Sequence, residues 1–148
     1  LTDNLSKLTV IFAACLLSAC AGFPASREEL MTVDNKSNEI CSDQEIDVLE
    51  SRVDSYLKKC FAWKDTVIVN GIAYSNNYLV EKNSTVSGKN YIVYAPMRNQ
   101  KSYLLSVVIE EGNEKCNSTV NSYAFNYWWS SHFDKIEQSV KGEEATCP

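Results

Sequence analysis

Nucleophiles, metal ligands and general acids are sparse in this chain, and that bounds the chemistry it can do. The 148 residues include one histidine, His132. One imidazole cannot build a multi-histidine metal site, and Asp134, two residues on, points to a different side of a helix. A Ser-His-Asp unit is defined by geometry, so it stays formally open. No Gly-x-Ser-x-Gly turn supports one, and no phosphate loop, dinucleotide fingerprint or His-Glu-x-x-His is present. Glu110, Glu111 and Glu114 surround Gly112-Asn113, but a solvated turn is the wrong place to raise a carboxyl pKa. Asp43, Asp47, Glu50 and Asp54 fall on one side of a helix without the loop and glycine spacing of a calcium site. They read as a solvated face, with Asp54 able to pair with Lys58. No catalytic residue, cofactor or metal ligand is assigned, and the balance leans away from an enzyme.

The cysteines are more informative. Residues 8–17 form an apolar run too short for a transmembrane helix, which needs roughly 20 residues, but of the length of a signal-peptide core. Two small residues and a cysteine follow directly: Leu17-Ser18-Ala19-Cys20. An ordinary secretory signal ending at Ser18-Ala19 would leave that cysteine unexplained. The segment resembles the lipobox of bacterial lipoproteins. The resemblance implies that residues 1–19 are a signal peptide, cut away together with Cys15. It further implies that Cys20 carries a diacylglyceryl group and an acylated amine, with fatty chains such as palmitate. Each buried methylene adds about 0.8 kcal/mol to membrane binding, so three chains make release very slow. Ala21, where an aspartate would signal retention, implies sorting to the outer membrane, with the domain facing the periplasm.

Four cysteines remain after processing: Cys41, Cys60, Cys116 and Cys147. An even count in an exported chain reads as two disulfides, since the compartment beyond the inner membrane is oxidising. A four-cysteine metal site would want close Cys-x-x-Cys pairs, and none occurs. Net charge is −5, and the 14 Lys and Arg are scattered. Without a basic stripe, nucleic acid is not an expected partner. No later apolar run approaches spanning length, the longest being 104–109.

The elements that must position these residues are mostly legible. Residues 20–40 are rich in Gly, Pro, Ser and Asn and are expected to form a lipidated flexible tether, with one short helical turn from the Ser26-Arg27-Glu28-Glu29 capping box to Met31. Residues 41–148 are expected to form a single α+β domain. Ser42-Asp43-Gln44-Glu45 is a second capping box, and Ile46, Leu49, Val53, Tyr56, Leu57 and Cys60 then recur at helical spacing. From Lys64 onward the period becomes strand-like. Strands are predicted over 66–69, entering an Asn70-Gly71 hairpin turn, then over 73–81, 90–95, 102–110 and 115–125. Breaks fall at Ser87-Gly88, Pro96 to Gln100 and Glu111-Gly112-Asn113. Short connections favour an antiparallel meander. Tyr103, Leu105, Val107 and Ile109 share one face, and Leu104 and Val108 the other, so a strand covered on both sides is predicted. A last helix fits 127–141, with Trp129, Phe133, Ile136 and Val140 inward and Gly142 as its stop. The fold class expected is therefore helix, antiparallel sheet of about five strands, and C-terminal helix packed on the sheet.

That geometry constrains the disulfides. A continuous helix would hold Cys41 and Cys60 roughly 28 Å apart, far beyond the ~6 Å between bridged Cα atoms. A five-strand meander puts Cys116 near Cys60 and leaves Cys147 for Cys41. A four-strand count reverses the parity and favours Cys41 with Cys116.

The feature expected to carry function is the aromatic block Tyr123, Phe125, Tyr127, Trp128, Trp129 and Phe133. Six aromatics exceed what one helix stripe needs, and Trp128 and Trp129 point about 100° apart on a helix. They read first as the junction between sheet and helix. Tyr127, Trp128 and Trp129 are also the candidate binding face, because exposed Trp and Tyr concentrate at interfaces. The reading is of a non-catalytic binding or assembly accessory, anchored in the outer membrane through Cys20, with a protein partner in the envelope. The alternative is a small periplasmic hydrolase acting on peptidoglycan.

Overall fold

The computed structural model describes residues 22–62, 66–69, 72–75 and 77–148. The expected signal segment, Cys15, Cys20 and the expected turn at Asn70-Gly71 lie outside the described residues.

The capping box at Ser26 opens a five-residue helix, α1 (Arg27–Met31). The Ser26 hydroxyl accepts the Glu29 amide at 3.0 Å, and the Glu29 carboxylate accepts the Ala25 amide at 2.8 Å. Leu30 is fully buried, and α1 packs along strands introduced below as β6 and β7. The chain then runs into β1 (Ile40–Ser42). The expected tether is thus part of the domain. Its backbone pairs with the last strand through Ser37 N to Ser122 O at 2.8 Å and Ala124 N to Asn35 O at 2.9 Å. Polar composition misled because these residues are held by main-chain hydrogen bonds, which composition does not encode.

Helix α2 (Ile46–Phe61) buries the expected stripe: Leu49, Val53, Tyr56, Leu57 and Cys60. It starts a turn later than the second capping box implied. Ser42 belongs to β1, where its hydroxyl accepts the Gln44 amide at 3.2 Å, while the Glu45 carbonyl takes the first helical amides. On the acidic side Asp54 pairs with Lys58 at 2.7 Å, and Glu50 with Lys82 at 2.6 Å.

The remaining strands are β2 (Thr66–Val69), β3 (Ile72–Ser75), β4 (Leu79–Ser84), β5 (Gly88–Pro96), β6 (Lys101–Asn113) and β7 (Cys116–Ala124). Five of them form one antiparallel sheet in the order β1-β7-β6-β5-β4, so the predicted α+β class holds. Membership of that sheet differs from expectation. Strands β2 and β3 pair only with each other, Val69 opposite Ile72, in a separate two-stranded sheet. The stretch read as one strand over 73–81 is two, β3 ending at Ser75 and β4 beginning at Leu79. The fifth strand is β1, whose Cys41 lies opposite Thr119. Three residues are too few to show alternation in a sequence.

Helix α2 covers one face of the sheet. There Tyr91, Val93, Leu105, Val107, Ile109 and Val120 form a single core with the helix stripe. On the other face Leu104 and Val108 are buried too, as their alternation predicted. Strand β6 continues through Glu111-Gly112-Asn113, where a break was expected, and turns at Glu114-Lys115, where the Asn113 side chain accepts the Lys115 amide at 2.9 Å. Gly112 suits a strand here for lack of a side chain: a Cβ would collide with the Cys116 carbonyl across the hairpin.

The C-terminal helix is broken in two, α3 (Tyr127–Ser130) and α4 (Phe133–Val140). Ser130 and Ser131 hydroxyls donate back to the Tyr127 and Trp128 carbonyls at 2.7 and 2.6 Å, taking acceptors that a continuing helix would use. Gly142, at φ +83°, ends α4 as predicted.

The disulfides join Cys41 to Cys116 and Cys60 to Cys147, with Cα separations of 5.5 and 5.6 Å. The favoured pairing of Cys60 with Cys116 and Cys41 with Cys147 is corrected. Only β4 to β7 form the hairpin-linked meander, so the four-strand parity applies and Cys116 begins its strand away from the end of α2. The tail after Gly142 runs back along α2. Arg52 Nη1 donates to the Val140 carbonyl at 2.6 Å and Lys59 Nζ to that of Ala145 at 3.1 Å, which delivers Cys147 to Cys60.

Candidate binding face

The aromatic block divides into an inner and an outer half where β7 hands the chain to α3. Phe125 closes the sheet, its amide donating to the Leu104 carbonyl at 2.9 Å. Asn126 then turns the backbone and caps α3, its side-chain oxygen accepting the Trp129 amide at 3.2 Å. Beyond that cap, side chains one residue apart diverge by about 100°.

Trp129 turns inward. It stacks on Phe61 with centroids 5.6 Å apart, meets Tyr78 edge-on at 5.1 Å, and lies 5.8 Å from the His132 ring. His132 completes this cluster, its Nδ1 sharing a 2.7 Å hydrogen bond with the Tyr56 hydroxyl. Burial holds the imidazole neutral, with its pKa pushed down to about 4, and pushes the Tyr56 phenol up. A neutral histidine spent on a tyrosine between stacked rings serves packing. Asp134 takes no part in the hydrogen bond that His132 makes, and Glu110, where Ser87 donates at 3.4 Å, sits at the far hairpin.

Tyr127 and Trp128 turn outward. They are 81% and 80% exposed, with ring centroids 6.4 Å apart at an interplanar angle of 70°. Of the three predicted face residues, the structure therefore brings two together at the surface and packs the third, partly buried, against the core. Two large rings on a capped turn are set for contact without loss of side-chain freedom elsewhere, since each has few rotors to fix.

Phe23, exposed beside Phe125 at the same end of the sheet, was not foreseen. Its ring packs on Phe125 at 4.8 Å and is 48% exposed. The available signal was a large aromatic three residues after Cys20, in a stretch otherwise read as linker.

Among the described residues no cluster of His, Cys, Asp or Glu could hold a metal ion, and no helix is long and apolar enough to cross a membrane. No family model, curated protein or solved structure matches this chain.

Proposed function

We propose that the chain is a lipid-anchored protein of the outer membrane, facing the periplasm, whose domain is a non-catalytic binding or assembly accessory for an envelope protein. The observation that carries this reading is the Leu17-Ser18-Ala19-Cys20 segment behind its apolar run, placed two residues ahead of the described domain. Two disulfides suit the oxidising compartment that such an address implies. A binding role is favoured over hydrolysis because His132, the sole histidine, is committed to Tyr56 within an aromatic cluster. The surfaces open to a partner are the exposed Tyr127 and Trp128 and the edge strand β4. Edge strands present unpaired main-chain groups that a partner's strand can complete.

Affinity capture of the lipidated full-length protein from detergent-solubilised envelopes tests the reading. A stoichiometric protein partner, recovered with no loss of peptidoglycan on incubation with the purified protein, is expected. Release of soluble muropeptides by the purified protein would put the hydrolase in its place.

A further inference from the structure

The point where the chain enters the described domain and the exposed rings lie at the same end of the domain. Pro24 is buried and its carbonyl accepts the Tyr103 amide at 3.1 Å, which fixes where the chain enters beside the start of β6. Phe23 packs on Phe125, and Phe125 is bonded to the Leu104 carbonyl. Tyr127 and Trp128 begin two residues later on a capped turn. Cys20 is three residues from Phe23, so even a fully extended chain spans only about 10 Å between them. An acyl group on Cys20 would hold this end of the sheet against the bilayer, with no linker long enough to lift it away.

Side-chain chemistry at that end agrees. Trp and Tyr partition to the membrane interface, where an amphipathic ring sits at headgroup depth. Residues 94–104, which turn from β5 into β6 here, carry Arg98, Lys101 and a half-exposed Met97 but no acid, and residues 121–133 carry no acid either. The chain as a whole has a net charge of −5, so an anionic leaflet would repel these segments less than the average of the chain, with the exposed Asp134 following directly after the second. Lys101 also pairs with Glu81 at 2.8 Å, and the nearest acids along the chain from Phe23 are Glu28 and Glu29 on α1.

From this juxtaposition we infer that Phe23, Tyr127 and Trp128 lie in the headgroup layer of the bilayer that holds the anchor, so that the domain is seated on the membrane instead of standing off it. The inference rests on lipidation of Cys20. It assigns the aromatic end to lipid and leaves the β4 edge to a protein partner.

Lipidated full-length protein in vesicles of phosphatidylethanolamine and phosphatidylglycerol, with the acyl chains brominated near their headgroup ends, provides the test. The chain holds Trp63, Trp128 and Trp129. Bromolipid should quench the tryptophan emission of the parent, and Trp128→Phe should lose most of that quenching while still floating with the vesicles and keeping its acyl mass. Equal fractional quenching in parent and W128F, both lipidated, overturns the seating and leaves the anchor standing. A chain without acyl mass that fails to float overturns the anchor itself. Unquenched Trp128 combined with loss of a captured envelope protein in W128A would give the pair to that protein and refute the lipid assignment.

Discussion

Adjacent residues of the same type play opposite parts at Trp128 and Trp129, and the difference is measurable. Trp128 is 80% exposed, so its alanine variant should keep its stability within about 0.5 kcal/mol. Trp129 stacks on Phe61 and meets Tyr78, and Trp129→Ala should cost about 3 kcal/mol in urea melts. Divergence of the two side chains was legible from helical geometry, but which one faced inward was not, because that depends on how Asn126 turns the chain after β7. His132 gives a second test. Its folded pKa, near 4, lies below the ordinary 6.5, so the unfolded chain takes up the proton first and stability rises with pH between those values. The contribution is complete above about 6.5 and falls away as the pH drops toward 4. Lysine hydrogen bonds hold the Glu50 and Glu81 carboxyls below their ordinary 4.5, so their losses belong to lower pH. Thermal melts of the parent should fall across that window, and those of His132→Gln should be flatter. Equal slopes would mean that His132 is not buried as described.

At the scale of elements, sequence periodicity performed where burial is one-sided and long. The α2 stripe and the double-sided burial of β6 were both readable, because 16 and 13 residues sample their periods several times. Elements shaped by partners were not. Strand β1 has three residues and exists through pairing with β7, and the segment before it reads as linker until its main-chain bonds are counted. The misassigned disulfides follow directly, since adding β1 at the far edge and removing β2 changes the parity of the meander. Non-reducing peptide mapping should recover Cys41 with Cys116 and Cys60 with Cys147, and loss of either bridge should cost about 2–5 kcal/mol. A Cys60 to Cys116 peptide would contradict the order of strands. Gly112 tests the β6 to β7 hairpin independently. Gly112→Ala drives a methyl into the Cys116 carbonyl, so it should destabilise by about 1–3 kcal/mol, the ordinary range for overpacking, and a neutral outcome would mean that the strands lie further apart.

For the whole molecule, the proposed address rests on the first twenty residues and the proposed contact surface on the fold. The resemblance to a lipobox could be drawn from sequence because it is local: an apolar run, small residues and a thiol carry it. The candidate face was legible only as an excess of aromatics, because its position beside the chain's entry depends on Phe23 meeting Phe125 across the sheet end. Both proposals, the membrane-held accessory and the seated aromatic end, depend on one covalent event at Cys20. Metabolic labelling with palmitate, comparing the parent with Cys20→Ser, measures it directly. Labelled, processed parent beside an unlabelled, larger Ser variant is the expected result. Label persisting in the Ser variant would contradict the account.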